Sequence, residues 1–195
     1  MITLVATPRS HFSRKVRLLM DHLEIDYTLE DIGNVADTGL KLFGGNPTLS
    51  VPTLIDGGRS IFDSDHIAAH LVRTYDQHDR FGVLTDDPDV LNTRAVMNSM
   101  MSSEVKLILA ERTGLATEGH AFFEKAKDVI RDSLSWLEAH ADLFSGDLSY
   151  AHFHLVSMWD HLVLFGPDRP PTPRIETIAA ALGQQPTIAR SAPPR

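Results

Sequence analysis

Cysteine is absent from this 195-residue sequence. Disulfides, thiolate nucleophiles and zinc–thiolate sites are therefore excluded, and any thiol chemistry needs a substrate that brings its own sulfur. Basic residues are also scarce, because 18 Lys and Arg stand against 26 Asp and Glu, giving a formal net charge of −8. This balance argues against a partner such as nucleic acid or an anionic membrane, since phosphate contacts need clustered Lys and Arg.

Long apolar runs are missing as well, and no basic-then-apolar leader precedes the first strand. The sequence therefore predicts a soluble, cytoplasmic protein without a membrane partner.

Ten histidines are present, and His152 and His154 lie close together in the sequence. Residues two apart do not share a helix face, so we expect no metal site. The length suits one or two small domains with a real core.

The first 76 residues alternate between short apolar strands and amphipathic helices. Residues 2–6, 24–29, 52–56 and 60–62 are predicted strands, and helices are predicted from Phe12 and after a Ser64 N-cap. The order strand-helix-strand, then strand-strand-helix, is that of a thioredoxin-like domain. On the first helix, Arg14, Lys15 and Arg17 are predicted to form a solvated face.

The second half is predicted to be all-helical. Residues 77–88 are polar, with Pro and Gly, and indicate a linker between a domain at 1–76 and a helical domain at 89–195. Helices are predicted at 89–112, 118–141, after a Ser149 cap, and at 175–182, and residues 191–195 are a predicted frayed tail.

The stretch from Asn46 to Asp56 reads as a turn, a proline and a short strand. Pro52 cannot donate to a sheet ladder, so we expect it at the start of a strand or on an edge. A cis Val51–Pro52 peptide would direct the Val51 backbone N–H and C=O away from the sheet, where they could pair with a bound peptide. A plain strand start is the alternative.

Three motifs together resemble the glutathione S-transferase superfamily. They are the stretch from Ser10 to Arg17, the Asn46-Pro47 to Val51-Pro52-Thr53-Leu54 stretch, and the pair Asp63-Ser64 opening a helix. Their order and spacing agree with the family across residues 1 to about 75. The resemblance implies a thioredoxin-like domain followed by an all-α domain, a homodimer, and glutathione as co-substrate without a metal.

The resemblance also implies the site residues. It assigns Ser10 to the glutathione sulfur, as in serine-type members, Asp63 and Ser64 to the γ-glutamyl end, and Val51 to the cysteinyl backbone. Phe12 and Ser50 complete the expected glutathione-binding set. Ser50 replaces a residue that is often lysine in relatives, and His11 replaces a common proline.

A hydroxyl at a helix start suits a thiolate, because unpaired N–H groups and the helix dipole favour an anion there. Ser10 meets this condition, although it is equally a good N-cap. Thr7 and Ser13 are rival hydroxyls. No tyrosine precedes Asp26, so a tyrosine-type site on the first strand is not available.

The second substrate is predicted to be an apolar electrophile. Met97, Met101 and Trp159 are the candidate lining residues, because methionine adapts to varied shapes; ordinary core packing is their alternative role. The segment Gly146 to His152 resembles the family's capping segment, with His152 where aspartate is usual. The absence of this aspartate predicts that the start of the helix is less stable by about 1 kcal/mol, unless His152 finds another partner.

The sequence thus predicts a detoxifying glutathione transferase. Two alternatives stay open. One is a non-catalytic binding or scaffolding protein of the same fold, because fold does not fix function. The other is a different glutathione-dependent reaction, such as isomerisation or dehalogenation.

Overall fold

The N-terminal half is a four-stranded mixed sheet with strand order β2-β1-β3-β4. The computed structural model describes residues 1–36, 39–166 and 169–194. Strand β1 pairs parallel with β2 and antiparallel with β3, which pairs antiparallel with β4. The strands are β1 (Ile2–Ala6), β2 (Tyr27–Asp31), β3 (Thr53–Asp56) and β4 (Arg59–Phe62). This arrangement confirms the predicted thioredoxin-like order.

Both faces of the sheet are covered. Along β1, Leu4 and Ala6 belong to the main core, while Val5 packs on the opposite face with Ile32 and Phe43. This alternation follows from the two-residue period of a strand. On the second face, Ile32 and Phe43 are buried and Val35, Leu42 and Val51 pack against them, so parts of the turn-rich segment after β2 cover this side of the sheet.

Seven helices surround the sheet or build the second half within the described residues. Helix α5 lies at the centre of the second half, because 12 of its 16 residues are buried and it packs against α1, α3 and α6. The helices are α1 (His11–His22), α2 (Ser64–Tyr75), α3 (Pro88–Arg112), α4 (Ala121–Ala139), α5 (Tyr150–Phe165), α6 (Pro173–Gly183) and α7 (Pro186–Arg190), with a 3-10 turn at Ala141–Phe144.

The prediction of a solvated basic face on α1 is wrong. Arg14 and Lys15 are 2% and 0% exposed, because α2, α5 and α7 pack against α1. The Arg14 guanidinium donates to Asp160 Oδ2 at 2.6 Å and to the Val156 carbonyl at 3.1 Å. A long cationic side chain is thus buried with its hydrogen bonds satisfied.

The C-terminal segment is better ordered than the sequence predicts. Residues 186–190 form α7, and Ser191 is 2% exposed. Its hydroxyl accepts from Arg14 Nε at 3.0 Å and donates to the Ile188 carbonyl at 2.8 Å. The predicted frayed tail is therefore packed at Ser191, and Arg195 lies outside the described residues.

The start of α5 keeps its cap despite the missing aspartate. Ser149 is the N-cap, as predicted, and Nδ1 of His152 accepts its backbone N–H at 3.1 Å. The imidazole therefore closes the capping box that a carboxylate closes in relatives.

In the part of the chain that the structure describes, no helix has the length and apolarity needed to cross a membrane.

Candidate functional site

A cavity of about 540 Å³ opens between the N-terminal half and helices α3 and α5. From the N-terminal half it is lined by the β1–α1 turn, the loop after β2, and the loop before β3. From the helical half it is lined by one face of α3 and the end of α5. The described lining residues are Thr7, Arg9, Ser10, His11, Phe12, Gly33, Asn34, Val35, Leu49, Ser50, Val51, Val105, Ile108, Leu109, Arg112, His161 and Phe165.

Ser10 lies at the N-terminus of α1 and in the cavity wall. Its backbone N–H donates to the Thr7 carbonyl at 3.0 Å, which closes the turn after β1. Its Oγ accepts the Ser13 backbone N–H at 3.1 Å. This contact uses a lone pair of the hydroxyl and leaves its hydrogen free to donate. Capping the helix and donating to an anion in the cavity are therefore compatible roles for Ser10.

Asn46 shapes the loop that carries Ser50 and Val51. It is 1% exposed; its Nδ2 donates to the Ser50 carbonyl at 3.0 Å, and its Oδ1 accepts the Thr48 backbone N–H at 3.0 Å. The Val51–Pro52 peptide that follows is cis, and Val51 lies in the cavity wall. The Asn-Pro pair of the sequence motif therefore fixes the loop rather than contacting the cavity itself.

Asp63 and Ser64 lie at the start of α2 and are not among the described residues that line the cavity. Asp63, not Ser64 as predicted, is the N-cap: its Oδ1 accepts the backbone N–H groups of Asp65 at 2.9 Å and His66 at 3.1 Å. Asp63 has φ = 68°, a region that costs a non-glycine residue about 1–3 kcal/mol. The two cap hydrogen bonds hold this conformation.

Behind the cavity, Asp65 accepts from cationic and polar side chains of three other helices. Lys15 Nζ lies 2.8 Å from its Oδ1, Tyr150 donates to the same oxygen at 3.0 Å, and Asn98 donates to Oδ2 at 2.6 Å. Arg94 Nη2 lies 3.5 Å away. Burial raises the pKa of the Asp65 carboxyl, but Lys15 and its other partners outweigh this effect and hold that pKa well below its usual range.

His11 is the first residue of α1 and is 2% exposed. Burial lowers the pKa of its imidazole well below the usual value, and His161 and His154 nearby lower it further. The His11 and His161 rings are 4.0 Å apart between centroids. The residue that replaces the family's proline is thus a neutral ring in the cavity wall beside Ser10.

Met97 and Met101 are fully buried in the core and do not line the cavity, in contrast to their predicted role. Trp159 is 6% exposed, and the Arg169 guanidinium lies 4.8 Å from the centre of its ring. The methionines lie on the correct helix but too near its start, because the cavity meets α3 about two turns later. Their core role is the alternative that the sequence left open.

The apolar residues that do line the cavity from the helical half were missed from the sequence. They are Val105, Ile108 and Leu109 of α3 and Phe165 of α5. The α3 residues share one face through the i, i+3, i+4 spacing, and this spacing was the available signal. Phe165 and His161 had no such signal, because their position depends on how α5 is rotated against its neighbours.

Comparison with protein families matches residues 4–79 to the family "Glutathione S-transferase, N-terminal domain". This match covers the sheet, α1 and α2. Comparison with the curated proteins gives no match.

Solved structures are similar over the whole chain. A glutathione transferase family member from Pseudomonas fluorescens Pf-5, with bound glutathione, is 25% identical with a TM-score of 0.85, each chain being covered completely. A glutathione S-transferase from Methylobacillus flagellatus KT shares the fold at 20% identity and a TM-score of 0.81, with full coverage of both chains. Another, from Methylobacterium radiotolerans, shares it at 18% identity and a TM-score of 0.81, covering 100% of this chain and 95% of that one. A thioredoxin-like domain followed by an all-helical region is therefore the glutathione S-transferase fold, and residues 4–79 match the N-terminal domain of that family.

Proposed function

We propose that this protein is a serine-type glutathione transferase that adds the glutathione thiolate to an apolar electrophile. Three observations support the proposal: the family match of residues 4–79, the similar solved structures with bound glutathione or glutathione sulfonate, and a cavity between the N-terminal half and helices α3 and α5. The cavity brings together four of the six residues assigned from the sequence: Ser10, Phe12, Ser50 and Val51.

The observation that carries the proposal is the free hydrogen of the Ser10 hydroxyl at the N-terminus of α1. A thiol with a pKa of about 8.5 is only a few per cent ionised at neutral pH. Lowering that pKa by about two units requires roughly 2.7 kcal/mol of preference for the thiolate. A hydrogen bond to a charged acceptor contributes about 1.5–3 kcal/mol, and the helix dipole about 0.3–1 kcal/mol. Together they contribute about 1.8–4 kcal/mol, a range that includes the required amount.

For the rest of glutathione we assign the loop residue Val51 to the cysteinyl backbone and Ser50 to the glycine end. Ser50 carries no charge, but Arg9 and Arg112 are exposed in the same cavity wall and offer positive charge to a carboxylate. At the γ-glutamyl end, Asp63 and Ser64 remain the proposed residues. Because Asp63 already occupies the N–H groups of Asp65 and His66, we assign the carboxylate to the Ser64 amide and hydroxyl.

The electrophile is assigned to the apolar side of the cavity. Val105, Ile108 and Leu109 form a wall on α3, and Phe165 closes it from α5. Such a surface favours a substrate with little polar area, since apolar burial supplies the binding free energy.

The alternative is a glutathione-transferase-fold protein that binds partners without catalysis. One observation favours it: the described residues that line the cavity do not include Asp63 or Ser64. A cavity that lacks the γ-glutamyl contacts would hold glutathione weakly, and a scaffold would not need it.

A calorimetric titration with glutathione up to millimolar concentration separates these two functions. We expect saturable binding by the wild type and conjugation of a chloronitrobenzene electrophile. Ser10→Ala should lower kcat roughly 10–150-fold while Kd changes little, because the lost hydrogen bond contributes about 1.5–3 kcal/mol to the thiolate form. Thr7→Val is the matched control, since Thr7 is the rival hydroxyl in the same wall.

Absence of glutathione binding would favour the scaffold. Unchanged turnover in Ser10→Ala, with loss in Thr7→Val, would transfer the role to Thr7.

We also propose a cytoplasmic homodimer. Light scattering should then give a mass of about twice the 21.6 kDa of one chain, and the mass of a single chain would refute the dimer.

A further inference from the structure

Three buried titratable side chains meet beside the cavity without an assigned role. His11 comes from the start of α1, Glu104 from the middle of α3 and His161 from α5, and their exposed fractions are 2%, 1% and 6%. One ligand atom from each residue lies within 4.8 Å of those from the other two. A buried carboxylate and two imidazoles are costly to keep together unless their polar atoms are paired.

The three side chains do not satisfy one another. His161 Nδ1 lies 2.8 Å from Glu104 Oε2, but among the described residues this nitrogen, both Glu104 oxygens and both ring nitrogens of His11 make no hydrogen bond of acceptable geometry. Five buried polar atoms of these three side chains are therefore without partners, and one ligand atom of each residue lies within 4.8 Å of those of the other two. Native structures rarely leave such groups unpaired, and an ion is one of the recognised reasons.

We propose that His11, Glu104 and His161 form a binding site for a divalent transition-metal ion of the zinc type. Two imidazole nitrogens and one carboxylate oxygen are the donors that such ions prefer over Mg²⁺ or Ca²⁺, which select oxygen ligands. Tetrahedral bonds of about 2.0–2.2 Å place two ligands roughly 3.4 Å apart. Binding therefore requires the side chains to draw together by up to roughly 1.4 Å from separations that reach 4.8 Å.

The site keeps a coordination position toward the cavity. His11 and His161 both lie in the cavity wall, so a three-residue site of this kind is open on that side. Open sites with three protein ligands accept water or a substrate atom in the fourth position. A sulfur or oxygen atom of a small molecule in the cavity is the class of ligand that this position accepts.

The test uses full-length protein prepared without a polyhistidine tag and stripped with a chelator. Zn²⁺ and Co²⁺ are titrated by calorimetry, with Mg²⁺ as the hard-cation comparison. We expect one equivalent of Zn²⁺ per chain, weakened at least tenfold in both Glu104→Gln and His161→Gln, together with a visible Co²⁺ spectrum that both variants lose. His66→Gln is the matched control, because His66 is exposed on α2, which carries none of the three ligands, and it should bind like the wild type.

Failure of the wild type to bind one equivalent of Zn²⁺ would overturn the proposal, whatever the variants do. Binding that is unchanged in Glu104→Gln and His161→Gln, or equally weakened in His66→Gln, would also overturn it. Thermal unfolding supplies a second measurement, since Zn²⁺ should raise the Tm of the wild type and not that of Glu104→Gln. None of these outcomes depends on glutathione binding, so the two proposals fail independently.

Discussion

Gly44 shows at the residue scale how the loop before β3 is held against the sheet. Its φ is 63°, and a Cβ atom at this position would lie 3.1 Å from both Thr53 Cγ2 and Val5 Cγ2. The chain therefore approaches the sheet so closely that a Cβ atom here would press on two side chains, and the positive φ itself favours glycine. The sequence pair Gly44-Gly45 gives no sign that the first glycine also packs against two strands.

Gly44→Ala should destabilise the protein more than Gly58→Ala does. Both positions have positive φ, but a Cβ at Gly58 has no described neighbour within 4 Å. Each change pays the left-handed penalty of about 1–2 kcal/mol, and only Gly44→Ala adds overpacking of about 1–3 kcal/mol. Urea unfolding of both variants measures the difference. Equal losses would show that the Thr53 and Val5 side chains move aside without cost.

Single residues were predictable where one local motif places them. Ser10 and Val51 flank a helix start and a proline, and both lie in the cavity wall. His161 and Glu104 were not predictable, because their meeting with His11 requires three helices far apart in sequence to cross at one level. Residue spacing therefore gave no sign of a metal-binding set, and only the packed structure brings the three side chains together.

At the scale of elements, the Asp65 cluster joins α1, α2, α3 and α5. Lys15 is 0% exposed, and burial lowers its pKa to about 8 although Asp65 opposes this shift. The helix boundaries were largely predictable from periodicity and caps. The burial of Lys15 was not, because a basic run on an amphipathic helix is usually solvated and only the cover provided by α5 changes this.

Asp65→Asn should destabilise the protein by about 3–5 kcal/mol at pH 7, because it leaves Lys15 buried without its anion. The pKa of Asp65 is lowered on folding, so its contribution is fully present above the unfolded value of about 4 and is lost as pH falls below it. The difference between wild type and variant should therefore be smaller at pH 2.5 than at pH 7.

Urea unfolding at both pH values provides this measurement. Asp132→Asn is the matched control, since that carboxylate is 70% exposed on α4 and its loss should have no measurable effect at either pH. An equal loss for Asp65→Asn at both pH values would contradict the ionic explanation.

At the scale of the whole molecule, one hydrophobic core extends through both halves. It contains Leu4 and Leu18 from the first half and Phe153 and Leu162 from α5. The fold class was predictable, because strand order and the helical second half follow from periodicity. The division into 1–76, 77–88 and 89–195 remains a prediction, and this shared core argues that the two parts are not independent in stability.

A fragment of residues 1–76 should therefore fail to fold alone. It would expose the face of α1 that α5 covers and leave Arg14 without Asp160 and the Val156 and Ile188 carbonyls. We expect weak circular dichroism without cooperative urea unfolding, whereas the full chain unfolds in a single transition. Cooperative unfolding of the fragment would instead show that the first domain is autonomous.

The histidine cap of α5 has a consequence for the range of acidity that the helix tolerates. Because the Ser149 N–H donates to Nδ1 of His152, the ring hydrogen must lie on Nε2, which donates to the Phe144 carbonyl at 3.1 Å. Burial lowers the pKa of His152, although the Phe144 carbonyl opposes this. The stability that the neutral ring contributes is therefore fully present above the unfolded value of about 6.5, and it is lost as pH falls through the lower pKa of the folded state. An aspartate there would hold to about pH 4. With an imidazole in place of a carboxylate, the stability contributed by this helix cap begins to fall at a pH about two units higher.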